Sequence, residues 1–361
     1  MRRWLLSLLL VAGASGLRAE GGMPLLRLPT ENDALLKGKP QLFYQYVDRN
    51  FEGEATKEWT AGQFGFVRDP ARWNGKLIQT KFHEGIDIRP LERDEKGQPQ
   101  DMVRAIAAGI VRHASDVPGN SNYGRYVVVE HDWGFGPVLS LYAHLQRVDV
   151  QDGAPVQAGD VLGVLGCSGA GLNLERAHVH LEITFLLQSH FQEWHDKLLA
   201  GQNHHGIYNG LNLVGVDPAM VFLQQKKNGP VNLPALVKSQ PVAWKAVVPT
   251  GPNFELPARY PWLQETPLGN APAAEISFAR HGLPVLIRPV NIPVPQPTLV
   301  KVAATDLPVT VLTHHYVTRN KGIDSLTNSG ARYLDLIAGT FDRQEPAQKQ
   351  EADPGPSHAR P

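Results

Sequence analysis

Cysteine is nearly absent from this 361-residue sequence: Cys167 is its single cysteine, so no intramolecular disulfide is possible. An excess of either charge is also absent, because 35 lysines and arginines balance 35 aspartates and glutamates. That balance gives no reason to expect nucleic acid or an anionic membrane as a partner. Only 19% of the residues are charged, whereas 29 are proline and 34 glycine, which favours a turn-rich, mainly β protein over a helical bundle.

Long apolar runs are missing beyond the N-terminus, so the sequence predicts no transmembrane helix and no stable membrane insertion. At the N-terminus, Arg2 and Arg3 precede an apolar stretch at 4–11 that is too short to span a bilayer, and small residues continue to Ala19. We interpret residues 1–19 as a signal peptide, with an anchoring segment as the alternative. The protein is therefore expected outside the cytoplasm, in the periplasm or the extracellular cell envelope.

A dinucleotide-binding motif is missing as well. The glycine-rich segment 163–171 around Cys167 does not form G-x-G-x-x-G, and no βαβ pattern surrounds it. The thiol could be a nucleophile, but small residues in a glycine-rich turn usually serve to fit the turn. We interpret Cys167 as structural.

Residues 177–183, Ala-His-Val-His-Leu-Glu-Ile, alternate apolar and polar side chains, which is the period of a half-buried β-strand. On such a strand His178, His180 and Glu182 share one face, and the two imidazoles stand about 6.6 Å apart. Taken alone, a His-x-His pair is more often solvated than functional. Glu182 could orient a ligand imidazole or could form a cross-strand ion pair.

A second stretch, residues 82–88, adds His83 and Asp87, and Gly85 argues against a helix there. Together the two stretches offer two or three imidazoles and one carboxylate. This set suits a catalytic zinc, which takes three protein ligands and leaves the fourth position to water. A two-histidine, one-carboxylate iron oxygenase is another class, but its common His-x-Asp spacing differs from His83-x-x-x-Asp87.

From residue 76 to about 223 the sequence consists of short apolar strands separated by turns, which is typical of an antiparallel sheet or barrel. A strand broken by a glycine is predicted at 103–111 and a hairpin from 126–130 and 138–142. The predicted fold class is mainly β, with an antiparallel, groove-forming or barrel-like domain.

Five motifs occur in one order within this region: H-x-x-x-D at 83–87, Gly-Arg-Tyr-Val-Val-Val at 124–129, Leu-Tyr-Ala-His-Leu at 141–145, Ala-Gly-Asp-Val-Leu-Gly-Val-Leu-Gly at 158–166 and His-Val-His-Leu-Glu-Ile at 178–183. In this order they resemble the LytM/lysostaphin-type zinc metalloendopeptidases over about residues 76–223. The resemblance implies an antiparallel β fold with a zinc-binding groove. It also implies hydrolysis of peptide bonds in bacterial cell-wall peptidoglycan.

Carried over by position, the resemblance implies that His83, Asp87 and His180 bind zinc (Zn2+) and that His144 and His178 are the catalytic pair. A neutral imidazole can take a proton from water and a protonated one can stabilise an oxyanion, and the sequence leaves open which histidine does which. The alternative is an inactive family member that binds peptidoglycan or activates another wall hydrolase. Such relatives usually lack zinc ligands, whereas all five residues are present here.

Two insertions distinguish the sequence from the family pattern, at 91–102 and 186–212, and both could reshape the groove. The second contains four histidines and a predicted short helix at 191–200. Their spacing fits no compact metal site, so we interpret them as a polar surface.

The remaining segments are predicted from composition. Residues 20–75 are interpreted as a lead-in packed on the catalytic domain at 76–225. Fourteen of the 29 prolines lie between 230 and 300, so residues 226–342 are predicted as a Pro-rich β region, either an appended domain or a wrapped segment. Within it we predict a strand at 309–312 and a strand conformation for His314 and His315. Residues 343–361 are predicted to be disordered.

Overall fold

Antiparallel β-sheets dominate the computed structural model of the protein, which describes residues 22–45, 48–57 and 59–341. The mainly β fold class predicted from the sequence is confirmed. The predicted signal peptide and the predicted disordered tail lie outside the described residues. Among the helices of the described ranges, none is long and apolar enough to cross a membrane.

Two hairpins precede the strands of the main sheet. The first consists of β1 (Asp48–Phe51) and β2 (Glu54–Lys57), and the second of β3 (Gly65–Trp73) and β4 (Lys76–His83). In the second hairpin Gly65 is paired with His83, so the strand that carries Gly65 lies beside the histidine at the end of β4.

Ten strands follow in the region that contains the five motifs: β5 (Ile86–Ile88), β6 (Met102–Arg104), β7 (Gly109–Ser115), β8 (Arg125–Asp132), β9 (Pro137–Leu145), β10 (Arg147–Val148), β11 (Pro155–Val156), β12 (Val161–Val164), β13 (Val179–Leu186) and β14 (Leu213–Val216). The main sheet has the order β11-β7-β8-β9-β13-β14, and β5 also pairs with β13. Within the described chain β11 and β14 do not pair, so this sheet is open and does not close into a barrel. The predicted hairpin of β8 and β9 is confirmed.

The strand predicted at 103–111 is interrupted. β6 belongs to a small sheet of order β10-β12-β6, whereas β7 belongs to the main sheet. Residues 105–108 carry the chain from one sheet to the other and are not part of a strand. A continuous apolar run in the sequence does not reveal such a change of sheet.

Three helices follow β13 in the chain: α1 (Phe191–Leu198) before β14, and α2 (Pro218–Asn228) and α3 (Leu233–Lys238) after it. α1 confirms the short helix predicted in the second insertion. α2 begins after Asp217, whose side chain accepts a hydrogen bond from the backbone N–H of Ala219, and Pro218 occupies its first position. The insertion also covers the outer sheet face, where Ile207 and Tyr208 pack against the cluster around Tyr126 and Leu141.

The C-terminal region has its own sheet of order β17-β16-β15-β18, formed by β15 (Trp244–Pro249), β16 (Ala273–Phe278), β17 (Pro284–Val290) and β18 (Thr298–Val302). A hairpin of β19 (Val317–Asn320) and β20 (Ile323–Leu326) follows, together with the helices α4 (Leu256–Arg259), α5 (Val309–Leu312) and α6 (Asn328–Ala338). Short 3-10 turns within the described ranges are Pro40–Leu42, Trp59–Gly62, Gly206–Tyr208, Gly210–Asn212 and Pro261–Leu263.

The strand predicted at 309–312 is wrong, because these residues form α5. Four residues, three of them apolar, are too few for periodicity to distinguish a strand from a helical turn. The turn is closed by Thr313, whose hydroxyl donates to the carbonyl of Val309 at 2.8 Å. His314 and His315 are likewise not in a strand, since they follow the helix with φ of 51° and 63°.

One cluster of buried apolar side chains runs through the lead-in, the motif region and the C-terminal region. Polar contacts join the last two regions as well. The Tyr260 hydroxyl donates to the carbonyl of Pro137 and accepts from the backbone N–H of Leu186, both at 2.9 Å. The buried Gln188 amide donates to the carbonyl of Asn253 at 3.0 Å. Through Tyr260 and Asn253, the C-terminal region therefore contacts both the β8–β9 hairpin and the second insertion.

Candidate metal centre

Strand pairing brings the candidate ligands together. His180 on β13 is opposite Asp87 on β5. His83 is the last residue of β4, and only two residues separate it from the start of β5. Gly85 makes the tight passage between these strands possible. A Cβ at this position would lie 2.4 Å from the carbonyl oxygen of Leu181 and 2.9 Å from His180 Nε2.

The three candidate ligands present one atom each to a common point. His83 Nε2 is 3.1 Å from His180 Nδ1 and 3.1 Å from Asp87 Oδ1, and His180 Nδ1 is 2.9 Å from Asp87 Oδ1. All three residues are buried, with exposures of 2% for His83 and 5% for Asp87 and His180. They form the one group of metal-capable side chains found within the described ranges.

Hydrogen bonds behind these atoms determine which ring nitrogen faces the point. His83 Nδ1 donates to the carbonyl of Gln63 at 2.7 Å, which leaves the lone pair on Nε2. His180 Nε2 donates to Glu182 Oε1 at 2.9 Å, which directs Nδ1 inward. Three acceptor atoms therefore face one another, and such an arrangement requires a proton or a cation among them.

A zinc ion fits this donor set. Bond lengths of about 2.0–2.1 Å give a tetrahedron with edges of about 3.3 Å, and the three measured edges are shorter by only a few tenths of an ångström. Two imidazoles and one carboxylate are ligands that zinc prefers, and each imidazole has the outer acceptor that is usual for a metal ligand. The residues present therefore suit a zinc ion with one position left open.

Charge and burial oppose each other at these ligands. Burial lowers the pKa of His83, and the nearby Arg68 lowers it further. Burial would raise the pKa of Asp87, but His178, His83 and Arg68 together hold it well below its usual range. For His180, burial would lower the pKa, yet the hydrogen bonds to Asp87 and Glu182 raise it to about 9.

The two candidate catalytic histidines lie beside this group, with their rings 4.7 Å apart at 66°. His178 Nδ1 donates to the carbonyl of Arg176 at 2.7 Å, and its Nε2 is 3.3 Å from Asp87 Oδ1. His144 Nδ1 donates to the carbonyl of Ser168 at 2.9 Å. In both rings the backbone carbonyl selects the tautomer whose Nε2 carries the lone pair.

His144 has an unusual backbone conformation for a non-glycine residue, with φ of 64°. Its backbone N–H donates to the carbonyl of Tyr123 at 2.8 Å, which holds it there. Burial, followed by the charges of His178 and His180, lowers the pKa of His144 well below its usual range. The ring is therefore neutral at physiological pH and able to accept a proton.

The sequence left open whether Glu182 orients an imidazole or forms a cross-strand ion pair, and its contacts distinguish the two. Its cross-strand neighbour on β9 is Leu141, so the ion-pair interpretation is wrong for this strand pair. Instead its Oε1 accepts from His180 Nε2 and, at 2.6 Å, from the hydroxyl of Tyr123. The carboxylate therefore fixes the orientation of the His180 imidazole, and Tyr123 is a residue of the candidate site that the sequence did not reveal.

Two further contacts come from the lead-in and were also missed. Arg68 Nη2 lies 2.5 Å from Asp87 Oδ2, and the carbonyl of Gln63 binds His83. A lone arginine and a backbone carbonyl carry no pattern in the sequence. In the second insertion, the polar-surface interpretation is wrong for His195 and His205, which are both buried. His205 Nδ1 lies 3.1 Å from His113 Nε2.

Residues 81–191 match the model of Peptidase family M23, which confirms the family resemblance predicted from the motifs. The match contains all five candidate site residues. It covers less than a third of the chain, so Gln63 and Arg68, which contact His83 and Asp87, lie outside it.

Two curated relatives are similar to part of the chain. Outer membrane antigenic lipoprotein B of Histophilus somni is 31% identical over 121 residues, which are 32% of this chain and 31% of that protein. A lipoprotein NlpD/LppB homolog of Pseudomonas aeruginosa is 29% identical over 131 residues, 36% of this chain and 37% of that protein. The chain thus spans about a third of the length of either relative.

Solved structures of similar chains include the catalytic domain of lysostaphin from Staphylococcus simulans, with a TM-score of 0.24 and 23% identity over 36% of this chain and 84% of that one. A mutant catalytic domain of the prophage-encoded M23 protein EnpA from Enterococcus faecalis has a TM-score of 0.24 and 23% identity, over 33% of this chain and 79% of that one.

Proposed function

We propose that this chain is a zinc-dependent endopeptidase of the bacterial cell envelope that hydrolyses peptide bonds in peptidoglycan. The observation that carries the proposal is the convergence of His83, Asp87 and His180 on one point, with two further imidazoles beside it. The family match over residues 81–191 supports a peptide bond as the target. The names of the two lipoprotein relatives and the predicted signal peptide support a location in the envelope.

Bound at His83, Asp87 and His180, zinc would supply a Lewis acid and a nucleophile derived from water at neutral pH. The protein's own part is acid–base chemistry. His144 is neutral, and its Nε2 lone pair can accept the proton that the attacking water loses. His178 has the same tautomer, and once protonated it can donate to a developing oxyanion. The two rings are near enough for the reverse assignment to work equally well.

A second candidate is a binding protein that recognises peptidoglycan or activates another wall hydrolase without cleaving anything. It is favoured by the names of the two curated relatives, which describe lipoproteins and not peptidases. The complete site counts against it, because a binding surface has no use for two tautomer-fixed imidazoles beside a buried donor triangle. Digestion of peptidoglycan separates the two candidates.

The decisive experiment is mass spectrometry of the products released from defined peptidoglycan fragments by the zinc-loaded protein. His83→Ala and Asp87→Ala should lose both the metal and hydrolysis. His144→Ala and His178→Ala should retain about one zinc per chain and slow hydrolysis by roughly 100-fold or more. The exposed His204→Ala is the control and should change neither property. If the zinc-loaded protein leaves the fragments intact, the binding candidate is favoured. If the purified protein contains iron in place of zinc, the iron oxygenase class is favoured.

A further inference from the structure

The metal ligands make two contacts with the segment that precedes them. The carbonyl of Gln63 accepts from His83 Nδ1, and the guanidinium of Arg68 binds Asp87 Oδ2. Both residues precede position 76, where we predicted the catalytic domain to begin, and position 81, where the family match begins. Each contact uses the side of the ligand that faces away from the donor triangle.

Arg68 is held in place from two sides. Its Nε donates to the carbonyl of Ala61 at 3.0 Å, while its Nη2 reaches Asp87. The pairing of β3 with β4 changes register between Phe66 and Arg68. A register change of this kind redirects side chains on the bulged strand. The β3–β4 hairpin therefore carries two groups of the proposed metal centre. His83 is at the end of β4, and Arg68, which binds Asp87, is on β3.

We infer that Arg68 is a positioning residue of the metal centre, which fixes Asp87 so that only Oδ1 is presented to the metal. The inference rests on the metal site of the proposed function. A carboxylate has two oxygens and can bind a cation through one or both. Here Oδ2 is occupied by a charge-assisted hydrogen bond to a guanidinium, and Oδ1 completes the triangle with His83 Nε2 and His180 Nδ1.

Close packing keeps the lead-in at this distance. A Cβ at Gly62 would lie 2.4 Å from the carbonyl oxygen of Gln45 and 3.4 Å from that of Asp87. On the far side of the hairpin, the guanidinium of Arg280 lies 4.2 Å from the centre of the Phe66 ring. The segment 61–68 is thus packed between the strand that carries Asp87 and the C-terminal region, and this packing holds the backbone of Arg68 close to Asp87.

The test compares three variants of the full chain by zinc affinity, measured by competition with a chromophoric chelator. Arg68→Met should weaken zinc binding about 10–100-fold, the usual effect of losing an outer partner of a metal ligand. Arg68→Lys keeps the charge but lacks the forked guanidinium that binds Ala61 and Asp87 at the same time. We therefore expect it to lose less zinc affinity than Arg68→Met. Arg72→Met is the matched control, since Arg72 lies on the same strand, is 51% exposed and pairs with Glu52.

A second readout separates positioning from a merely structural role. If Asp87 becomes free to bind through both oxygens, the visible spectrum of the cobalt-substituted Arg68→Met protein should change from that of the wild type. The metal-free Arg68→Lys protein should unfold at the wild-type temperature, which keeps the test informative if Arg68→Met does not fold.

Unchanged zinc affinity and an unchanged cobalt spectrum in both Arg68 variants would overturn the inference while the proposed function stood. A wild-type protein that binds no zinc would overturn both.

Discussion

His180 cannot bind a metal through Nδ1 while that nitrogen carries a proton. Both ring nitrogens face carboxylates, because Nδ1 is 2.9 Å from Asp87 Oδ1 and Nε2 is 2.9 Å from Glu182 Oε1. Burial would lower the pKa of His180, but these two hydrogen bonds raise it to about 9. In the metal-free protein at pH 7 the ring is therefore an imidazolium between two carboxylates, and a metal that binds must release one proton.

The difference between the pKa of His180 and the pH determines how strongly the proton weakens metal binding. Two pH units below the pKa, competition by the proton weakens metal binding by about 100-fold, or about 2.7 kcal/mol. The other ligands add no proton, since the pKa of His83 is lowered and that of Asp87 lies well below its usual range. Zinc affinity should therefore rise about tenfold per pH unit from pH 6 to 9 and become constant above about pH 9.

Two measurements test this expectation. Chelator competition from pH 6 to 10 gives the slope. Calorimetry of zinc binding in two buffers with different ionisation enthalpies gives the number of protons released. The count should be close to one at pH 6, where water on a zinc ion, with a pKa of about 7, still keeps its protons. A flat affinity between pH 6 and 9, or no proton released at pH 6, would refute the assignment of an imidazolium at His180.

Three further predictions concern single side chains. Glu182→Gln should weaken zinc binding about 10–100-fold when measured above pH 9, where the proton no longer competes; equal affinity would contradict its orienting role. Burial raises the pKa of Asp217 from 3.8 to about 6, so the carboxyl stabilises the fold at low pH and this contribution is lost as pH rises through 6. Asp217→Asn should therefore raise the free energy of unfolding in urea at pH 7 by about 1–3 kcal/mol, whereas a decrease would show that the charge is needed for the helix cap. Burial lowers the pKa of His281 from 6.5 to about 4, so stability is present above pH 6.5 and is lost as pH falls towards 4. Between pH 7 and pH 5, the free energy of unfolding of His281→Gln should therefore fall by about 2 kcal/mol less than that of the wild type. An equal fall in both proteins would contradict this prediction.

The sequence predicted the candidate site well where its residues share a local pattern. Alternation along 177–183 placed His178 and His180 on one strand, and the register of β13 with β5 then placed His180 opposite Asp87. Orientation of the His180 ring was one of the two alternatives given for Glu182, because residues two positions apart on a strand lie on the same face. These inferences needed only the period of a strand and the chemistry of the side chains.

What the sequence could not predict depends on long-range packing. Arg68 reaches Asp87 through a register change in a hairpin, and nothing distinguishes this arginine from the exposed Arg72 on the same strand. The left-handed backbone of His144 follows from a hydrogen bond to the carbonyl of Tyr123, twenty-one residues earlier in the chain. Likewise, α5 was predicted as a strand because four residues, three of them apolar, are compatible with the period of either a strand or a helix.

The charges around the candidate site give a reason for an arginine beside Asp87. In the metal-free protein, Arg68 and protonated His180 balance Asp87 and Glu182, so the buried group is neutral, as a low-dielectric environment requires. When a divalent zinc replaces the proton, the same group acquires one net positive charge. If the proposed zinc binds here, that charge would favour an anion over a neutral molecule beside it, as a hydrolytic role would require. Without Arg68 the zinc-loaded group would already be neutral, so on the proposed function the guanidinium would contribute to the charge of the site as well as to the position of Asp87.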